Sequence, residues 1–272
     1  MAAVHPTAMV EGGAQLARDV EIGPFCVVSG GARLAEGVRL LSHAVVIGNV
    51  EIGPRTVVYP NAVLGGEAQI RNASAPEARL VIGADNVIRE GVTISAGSRR
   101  GGGLTRIGDR NYFMACSHAG HDCQMGDDVT LSNGVQLGGH SEIANGVILG
   151  GLAAVQQFSR VGQYAFISGL SGVNSDVIPY GMALGMHAKL GGLNLIGLKR
   201  CGIPRANIHA LRAAFRAIFL EGTGNVQERA ARAAGTWPEV PEVQHITAFI
   251  LADARRQIAP ARVRGSAEDE SA

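Results

Sequence analysis

Aliphatic residues recur at every sixth position over most of this 272-residue chain. The first run fills the frame ten times without a miss, at Val10, Leu16, Ile22, Val28, Leu34, Leu40, Val46, Ile52, Val58 and Leu64. Because 46% of the residues are hydrophobic, such a run has a chance of roughly one in two thousand in a chosen frame. The frame returns at Ile82 and continues, after a second break, from Ile107 to Val173. A period of six fits neither an α-helix nor a two-layer sheet, and it indicates a solenoid.

A smaller residue accompanies each aliphatic one, two positions earlier, as at Ala14, Cys26 and Ala32. If each hexad is one short strand, three hexads make a triangular coil with the aliphatic side chain inside and the small one at a corner. Stacking at ~4.8 Å would give a rod on the order of 50 Å long from about ten coils. The sequence therefore predicts an all-β parallel β-helix over residues 1–190.

Two stretches interrupt the hexads, and both are predicted to be loops that project from the rod. Residues 65–81 keep the phase of the repeat, whereas residues 95–106 break it by one. Either loop is an incidental surface insertion or an arm that reaches over a neighbouring subunit to form one wall of a site. From about Pro204 the apolar period becomes helical, which predicts a helical cap over residues 191–259 and a disordered tail over 260–272.

Composition excludes several classes of function. The formal net charge is only +1, so there is no global attraction to nucleic acid or to an anionic membrane. The four cysteines show no CxxC spacing, no leader segment precedes Val4, and no apolar stretch approaches the ~20 residues of a spanning helix. We expect a cytoplasmic protein without a membrane span, a nucleic-acid partner or a bound cofactor.

Histidines are concentrated in the second half of the predicted rod. His118, His121 and His140 fall within about one 18-residue coil of one another, so stacking should bring their side chains together. A histidine with the ordinary pKa of ~6.5 can take a proton from a hydroxyl near neutral pH, and Asp122 could orient its ring. The alternative is that corners of the coil merely expose polar residues.

The chain resembles the family of acyl-[acyl-carrier-protein]:UDP-N-acetylglucosamine O-acyltransferases, hexapeptide-repeat enzymes that catalyse the first step of lipid A biosynthesis. The resemblance covers nearly the whole chain and rests on His5-Pro6-Thr7-Ala8, Ile22-Gly23-Pro24-Phe25-Cys26, Gly101-Gly102-Gly103-Leu104-Thr105, Ala119-Gly120-His121-Asp122-Cys123, Gly138-Gly139-His140 and Gly197-Leu198-Lys199-Arg200. It implies a left-handed coil and a homotrimer. It also implies a nucleotide-sugar acceptor and, as acyl donor, the phosphopantetheine thioester of acyl carrier protein.

The same resemblance assigns roles to individual residues. It implies that His121 is the general base, with Asp122 beside it, and that the backbone N–H of Gly139 binds the oxyanion. His118 and His140 match substrate-site histidines, and no metal is implied. The further matching positions are Gln157, Asn194 and Arg200 for the nucleotide-sugar, Asn72 in the first loop, and Gly169 where residue size limits acyl length.

Several positions depart from the family pattern. Asn72 stands where a lysine is usual, Ser95 and Gln156 where histidines are usual, and Cys201 where a second arginine follows. These departures leave open a paralogue that acylates a different sugar, such as a 3-amino sugar, or that uses another acyl donor. A zinc hydratase with His118, His121 and His140 as ligands and a non-catalytic scaffold are the remaining alternatives.

Overall fold

The computed structural model describes residues 1–71, 75–252 and 257–262, which form 28 short strands and four helices. The strands are β1 Ala3–Val4, β2 Met9–Val10, β3 Gln15–Leu16, β4 Glu21–Ile22, β5 Val27–Val28, β6 Arg33–Leu34, β7 Arg39–Leu40, β8 Val45–Val46, β9 Asn49–Ile52, β10 Val57–Val58, β11 Val63–Gly66, β12 Arg79–Ile82, β13 Val87–Ile88, β14 Thr93–Ser95, β15 Leu104–Ile107, β16 Tyr112–Phe113, β17 His118–Ala119, β18 Gln124–Met125, β19 Thr130–Leu131, β20 Gln136–Leu137, β21 Glu142–Ile143, β22 Ile148–Leu149, β23 Ala154–Val155, β24 Arg160–Val161, β25 Phe166–Ile167, β26 Gly172–Val173, β27 Gly181–Leu184 and β28 Lys189–Leu193. The helices are α1 Leu195–Arg200, α2 Arg205–Phe219, α3 Val226–Thr236 and α4 Pro241–Leu251.

Every third strand belongs to the same sheet, so the chain winds around a three-sided prism. The first sheet runs from β1 through β4 to β25 and ends with β27 and β28, the second from β2 to β26, and the third from β3 to β24. Strands pair in parallel with the strand of the next coil, as in the register Tyr112↔Thr130 and Thr130↔Ile148. The predicted parallel β-helix is confirmed by this 18-residue register.

The interior of the prism contains the aliphatic series of the repeat. In each two-residue strand of the rod from β4 onward the second residue is buried and the first faces outward. The small series is buried with it, including Cys26, Ala32 and Val38. Each buried aliphatic side chain contributes roughly 1.5–3 kcal/mol, so a regular six-residue pattern is enough to fix the coil.

Both interruptions of the repeat leave the prism at the same corner, between the second and the third sheet. The first lies between β11 and β12 and the second between β14 and β15. They are shorter than predicted: β11 continues to Gly66 and β12 begins at Arg79, while β14 includes Ser95 and β15 begins at Leu104. The strands are longer because β12 pairs residue by residue with both β9 and β15 over four positions. The insertions are thus 67–78, of which 72–74 lie outside the described residues, and 96–103.

The C-terminal part begins later than residue 191, because β28 extends to Leu193 and pairs antiparallel with β27. Helix α1 follows at once, α2 begins after the N-cap Pro204, and α2, α3 and α4 pack together through apolar faces that include Leu211, Ala233 and Ile246. The predicted tail from residue 260 is wrong for its first residues. The Leu190 N–H donates to the Pro260 carbonyl, and the Arg262 N–H donates to the Leu190 carbonyl, so this segment is bonded to β28. Residues 263–272 lie outside the described residues.

No helix in the described ranges has both the length and the apolarity needed to cross a bilayer.

Candidate active site

The predicted site residues fall into two columns at the corner between the second and third sheets. His121, Gly139 and Gln157 stand at one position of three successive coils, 18 residues apart. The following position holds Asp122, His140 and Phe158, each with a positive φ of 59–66°. Both insertions leave the prism at this corner in the coils directly before His121. Stacking therefore brings together residues that are far apart in the sequence.

His121 and Asp122 form a hydrogen-bonded pair. Nδ1 of His121 lies 2.8 Å from Oδ2 of Asp122, and the Asp122 side chain is only 1% exposed. A buried carboxylate that accepts a hydrogen bond from Nδ1 fixes the neutral imidazole with its proton on Nδ1. Nε2 then carries a free lone pair, which is the state of a general base.

Asp122 is itself held by several donors. The backbone N–H of Ser98 donates to Oδ1 at 2.9 Å, and the Ser98 hydroxyl donates to Oδ2 at 2.6 Å. The backbone N–H of Asp122 donates to Thr105 Oγ1 at 2.8 Å. The two bonds from Ser98 satisfy a charged carboxylate that would otherwise be costly to bury, and the bond to Thr105 holds its backbone.

Nε2 of His121 faces the backbone of Gly139. A Cβ placed on Gly139 would lie 2.5 Å from Nε2 and would also overlap Cε1, so only glycine fits beside this ring. The Gly139 N–H donates to no acceptor in the part of the chain that the structure describes. The residue beside the base thus has a free backbone donor, a group that can stabilise an oxyanion.

His118 and His140 flank the pair. Nδ1 of His118 is 2.7 Å from Thr93 Oγ1, and burial, followed by the nearby His121, lowers the pKa of His118, so this ring is neutral at physiological pH. His140 lies edge-on to His121 with ring centroids 5.0 Å apart, and it stacks on Phe158 at 4.4 Å. Both rings are positioned to contact a ligand that reaches His121.

An open groove of about 360 Å³ runs across the second sheet beside these residues. It is lined by the predicted residues His118, His121, Gly139 and Gln157, and by Ser95, Gln156, Gln69 and Gln136 among others. The lining is polar at the corner that carries the histidines, and along the strands it includes aliphatic side chains such as Leu137 and Val155. Gln69 lies in the first insertion, so this loop forms one wall of the groove.

Five predicted residues with described positions do not line this groove within one chain: Asp122 and His140, which contact His121, and Gly169, Asn194 and Arg200. Gly169 is exposed at the corner between the first and second sheets. Asn194 caps α1, because its side chain accepts from Gly197 N–H at 2.9 Å and donates to the Tyr164 carbonyl. Arg200 is exposed at the end of α1, and Asn72 lies outside the described residues.

Sequence reasoning missed Ser98 and the stacking role of Phe158. A signal for Ser98 was present, because the phase-breaking insertion falls one coil before His121 at the same corner of the repeat. One potential metal-ligand atom from each of His121, Asp122 and His140 also lies within 4.8 Å of the other two, a spacing that could hold a metal ion. His118, which the zinc alternative requires, is not in that group and is bonded to Thr93.

Comparisons with known proteins agree with this arrangement. A family model described as "Udp N-acetylglucosamine O-acyltransferase; Domain 2" matches residues 176–259. An acyl-[acyl-carrier-protein]–UDP-N-acetylglucosamine O-acyltransferase of Rhizobium etli is 50% identical over 175 residues, 64% of this chain and 64% of the relative. The first relatives found are thus matched over less than two thirds of their length. One from Bartonella henselae is 41% identical over 253 residues, 93% of this chain and 92% of the relative.

Solved structures extend the likeness to the whole rod. The crystal structure of the UDP-N-acetylglucosamine O-acyltransferase of Moraxella catarrhalis superposes with a TM-score of 0.90 at 35% identity, covering 94% of this chain and 99% of that one. Fold and site together define a left-handed parallel β-helix of the hexapeptide-repeat acyltransferase class, and the predicted handedness is confirmed. The chain belongs to the acyl-[acyl-carrier-protein]–UDP-N-acetylglucosamine O-acyltransferase family.

Proposed function

We propose that this protein transfers a 3-hydroxyacyl group from acyl carrier protein to the 3-position of UDP-N-acetylglucosamine, the first step of lipid A biosynthesis. The observation that carries the proposal is the His121–Asp122 pair with Nε2 of His121 free beside the Gly139 N–H. The relatives are named as acyl-[acyl-carrier-protein]–UDP-N-acetylglucosamine O-acyltransferases, which supports the choice of donor and acceptor.

The proposed mechanism is direct transfer. His121 Nε2 takes the proton of the sugar 3-hydroxyl while that oxygen attacks the thioester carbonyl. The Gly139 N–H donates to the oxyanion of the tetrahedral intermediate. Collapse breaks the carbon–sulfur bond, and the imidazolium returns its proton to the phosphopantetheine thiolate. Asp122 stabilises the imidazolium between these two proton transfers.

Substrate contacts follow from the lining of the groove. His118, held neutral, and Gln157 line the groove and are proposed to contact the sugar. His140 does not line it, and it is proposed to approach the sugar from its place edge-on to His121. Nothing in this scheme requires a bound cofactor or metal. The four cysteines are unpaired, which favours a reducing compartment, and we place the protein in the cytoplasm.

A homotrimer is proposed from the outward-facing side chains of the three sheets. The third sheet presents charged residues such as Arg33, Glu51 and Glu142. The first sheet presents Glu21 and Arg39 in its early coils, but further along it presents half-buried Val57, Val87, Ile148 and Phe166. The second presents Val27, Val45 and Val63 in its early coils. Apolar faces of this extent are typical of surfaces that become buried in an assembly. A neighbouring subunit would then bring Gly169, Asn194 and Arg200 to the groove.

Ile148→Glu is expected to dissociate the trimer, because it places a charge on the apolar first sheet, where burial without a partner is strongly unfavourable. Light scattering after size exclusion should give the wild type a mass three times that of the 28.2 kDa chain and give the variant a lower mass. Gln15→Glu introduces the same side chain on the exposed third sheet and should leave the mass unchanged. A monomeric wild type, or a trimeric Ile148→Glu protein, would contradict this assembly.

The function is tested by a transfer assay with 3-hydroxyacyl carrier proteins of several chain lengths. UDP-N-acetylglucosamine and its 3-amino analogue are offered in separate reactions, and acyl-coenzyme A replaces the carrier protein in a third series. Transfer to UDP-N-acetylglucosamine supports the proposal. Preference for the 3-amino analogue would instead indicate a different acceptor. The replacement of the usual histidines by Ser95 and Gln156, both of which line the groove, would then be the change that accommodates it. No transfer to either acceptor would overturn the proposal.

A further inference from the structure

The second insertion, residues 96–103, does not lie free on the surface. Ser98 is fully buried, and its backbone carbonyl accepts hydrogen bonds from Gly101 N–H at 3.1 Å and Gly103 N–H at 2.9 Å. These two bonds close the insertion into a tight turn. The turn sits directly against the carboxylate of Asp122, since a Cβ on Gly101 would overlap Asp122 Cγ and both carboxylate oxygens.

The two donors of Ser98 reach different oxygens of that carboxylate. Its N–H bonds Oδ1 and its hydroxyl bonds Oδ2, so the plane of the carboxylate is fixed at two points. Oδ2 is also the atom that lies 2.8 Å from Nδ1 of His121. The Gly101 N–H donates to Ser98 Oγ at 3.2 Å, which leaves the hydroxyl proton for Asp122. The hydroxyl therefore belongs to one chain of hydrogen bonds that ends at the base.

We propose that Ser98 is a positioning residue for the transfer reaction, and that the phase-breaking insertion exists in this fold to hold the Asp122 carboxylate in the orientation that sets His121. The inference rests on the proposed function. The insertion acts within its own chain on the catalytic pair. Ser98, Asp122 and His121 then form a hydroxyl–carboxylate–imidazole series in which Ser98 contacts no substrate.

Removing the hydroxyl has two expected consequences. The carboxylate loses one of its two anchors, so the imidazole is held less well and kcat should fall about tenfold, the effect of one hydrogen bond to a charged group. The carboxylate also loses a donor and becomes a stronger acceptor, which favours the imidazolium form of His121 at 2.8 Å more than that of His140, whose Nε2 lies 3.6 Å from the same oxygen. The acid limb of the pH profile of kcat/KM should therefore move to higher pH.

The test compares Ser98→Ala and Ser98→Thr in the full-length protein with the acyl-transfer assay. Ser98→Ala should lower kcat about tenfold with KM nearly unchanged and shift the acid limb upward, and Ser98→Thr, which keeps a hydroxyl, should restore both. Thr56→Val is the matched control, because it also removes one fully buried hydroxyl but at a corner away from the groove. It should lower the melting temperature without moving the pH profile.

A double-mutant cycle separates the proposed route from a general loss of packing. In an Asp122→Ala background, Ser98→Ala should have no further effect on kcat, since its action passes through the carboxylate. Equal kcat values for wild type and Ser98→Ala, additive losses in the cycle, or failure of Ser98→Thr to restore the profile would each overturn the inference. A wild type without any transfer activity would instead overturn the proposed function, so the two failures are distinguishable.

Discussion

Replacing His121 with asparagine is expected to reduce kcat for acyl transfer by about 10²- to 10⁴-fold. The asparagine amide nitrogen takes the place of Nδ1 and can still donate to Asp122, so the corner of the coil should keep its hydrogen bond. What is lost is Nε2, the ring nitrogen that is not bonded to Asp122 and that lies beside Gly139. Steady-state kinetics with a saturating acyl carrier protein substrate measures the change in kcat.

The matched control for this substitution is His43→Asn. His43 is exposed at a corner of an early coil, where its φ is +61°, a conformation that asparagine adopts readily. Its turnover should equal that of the wild type. Unchanged transfer by the His121 variant, with normal folding, would argue against general-base catalysis at this position and would favour a scaffold or a different base.

Gly139→Ala is expected to be almost as damaging, although it adds a single methyl group. That methyl would lie 2.5 Å from Nε2 of His121, so the ring must move, and moving it breaks either its alignment with the groove or its bond to Asp122. Misplacement of a catalytic group by about 1 Å can reduce a rate about 10²-fold. The measurement is kcat, together with a crystal structure of the variant to locate the ring.

Gly12→Ala provides a closely matched control. Gly12 occupies the same position of the coil as Gly139, two residues after the second residue of a second-sheet strand, but a Cβ there meets nothing within 4 Å. It should leave both stability and turnover unchanged. Full activity of Gly139→Ala would show that the space beside Nε2 is not needed, and it would remove the steric basis for assigning the oxyanion donor to this residue.

The repeat itself made most of the fold predictable. A six-residue period, read with its small companion residue, predicts the coil, its three faces and the proximity of His118, His121 and His140. The insertions were harder, because no period continues through them and their strands extend by local pairing that only the neighbouring coils determine. The phase break one coil before His121 pointed to the second insertion, but nothing in the repeat singled out Ser98 within it.

The sequence pattern did not indicate how site residues outside the hexad repeat lie relative to His121. Asn194 and Arg200 follow the last strand, and nothing in the repeat relates their position to the corner that carries His121. Gly169 lies two coils further along the rod than Gly139 but at another corner, which counting in sixes would have revealed. In one chain these three residues stay apart from the groove, so their assignment depends on a neighbouring subunit.

The positive φ of Asp122, His140 and Phe158 limits what laboratory evolution of this site can sample. Valine, isoleucine and threonine are genuine outliers in that conformation, whereas asparagine, aspartate, histidine and glycine tolerate it. A saturation library at Asp122 selected only for folded protein should therefore be enriched in asparagine and glycine before any selection for activity is applied. Changes of acceptor preference are more accessible from the strand position of His118 and from Gln156, where extended backbone accepts most side chains.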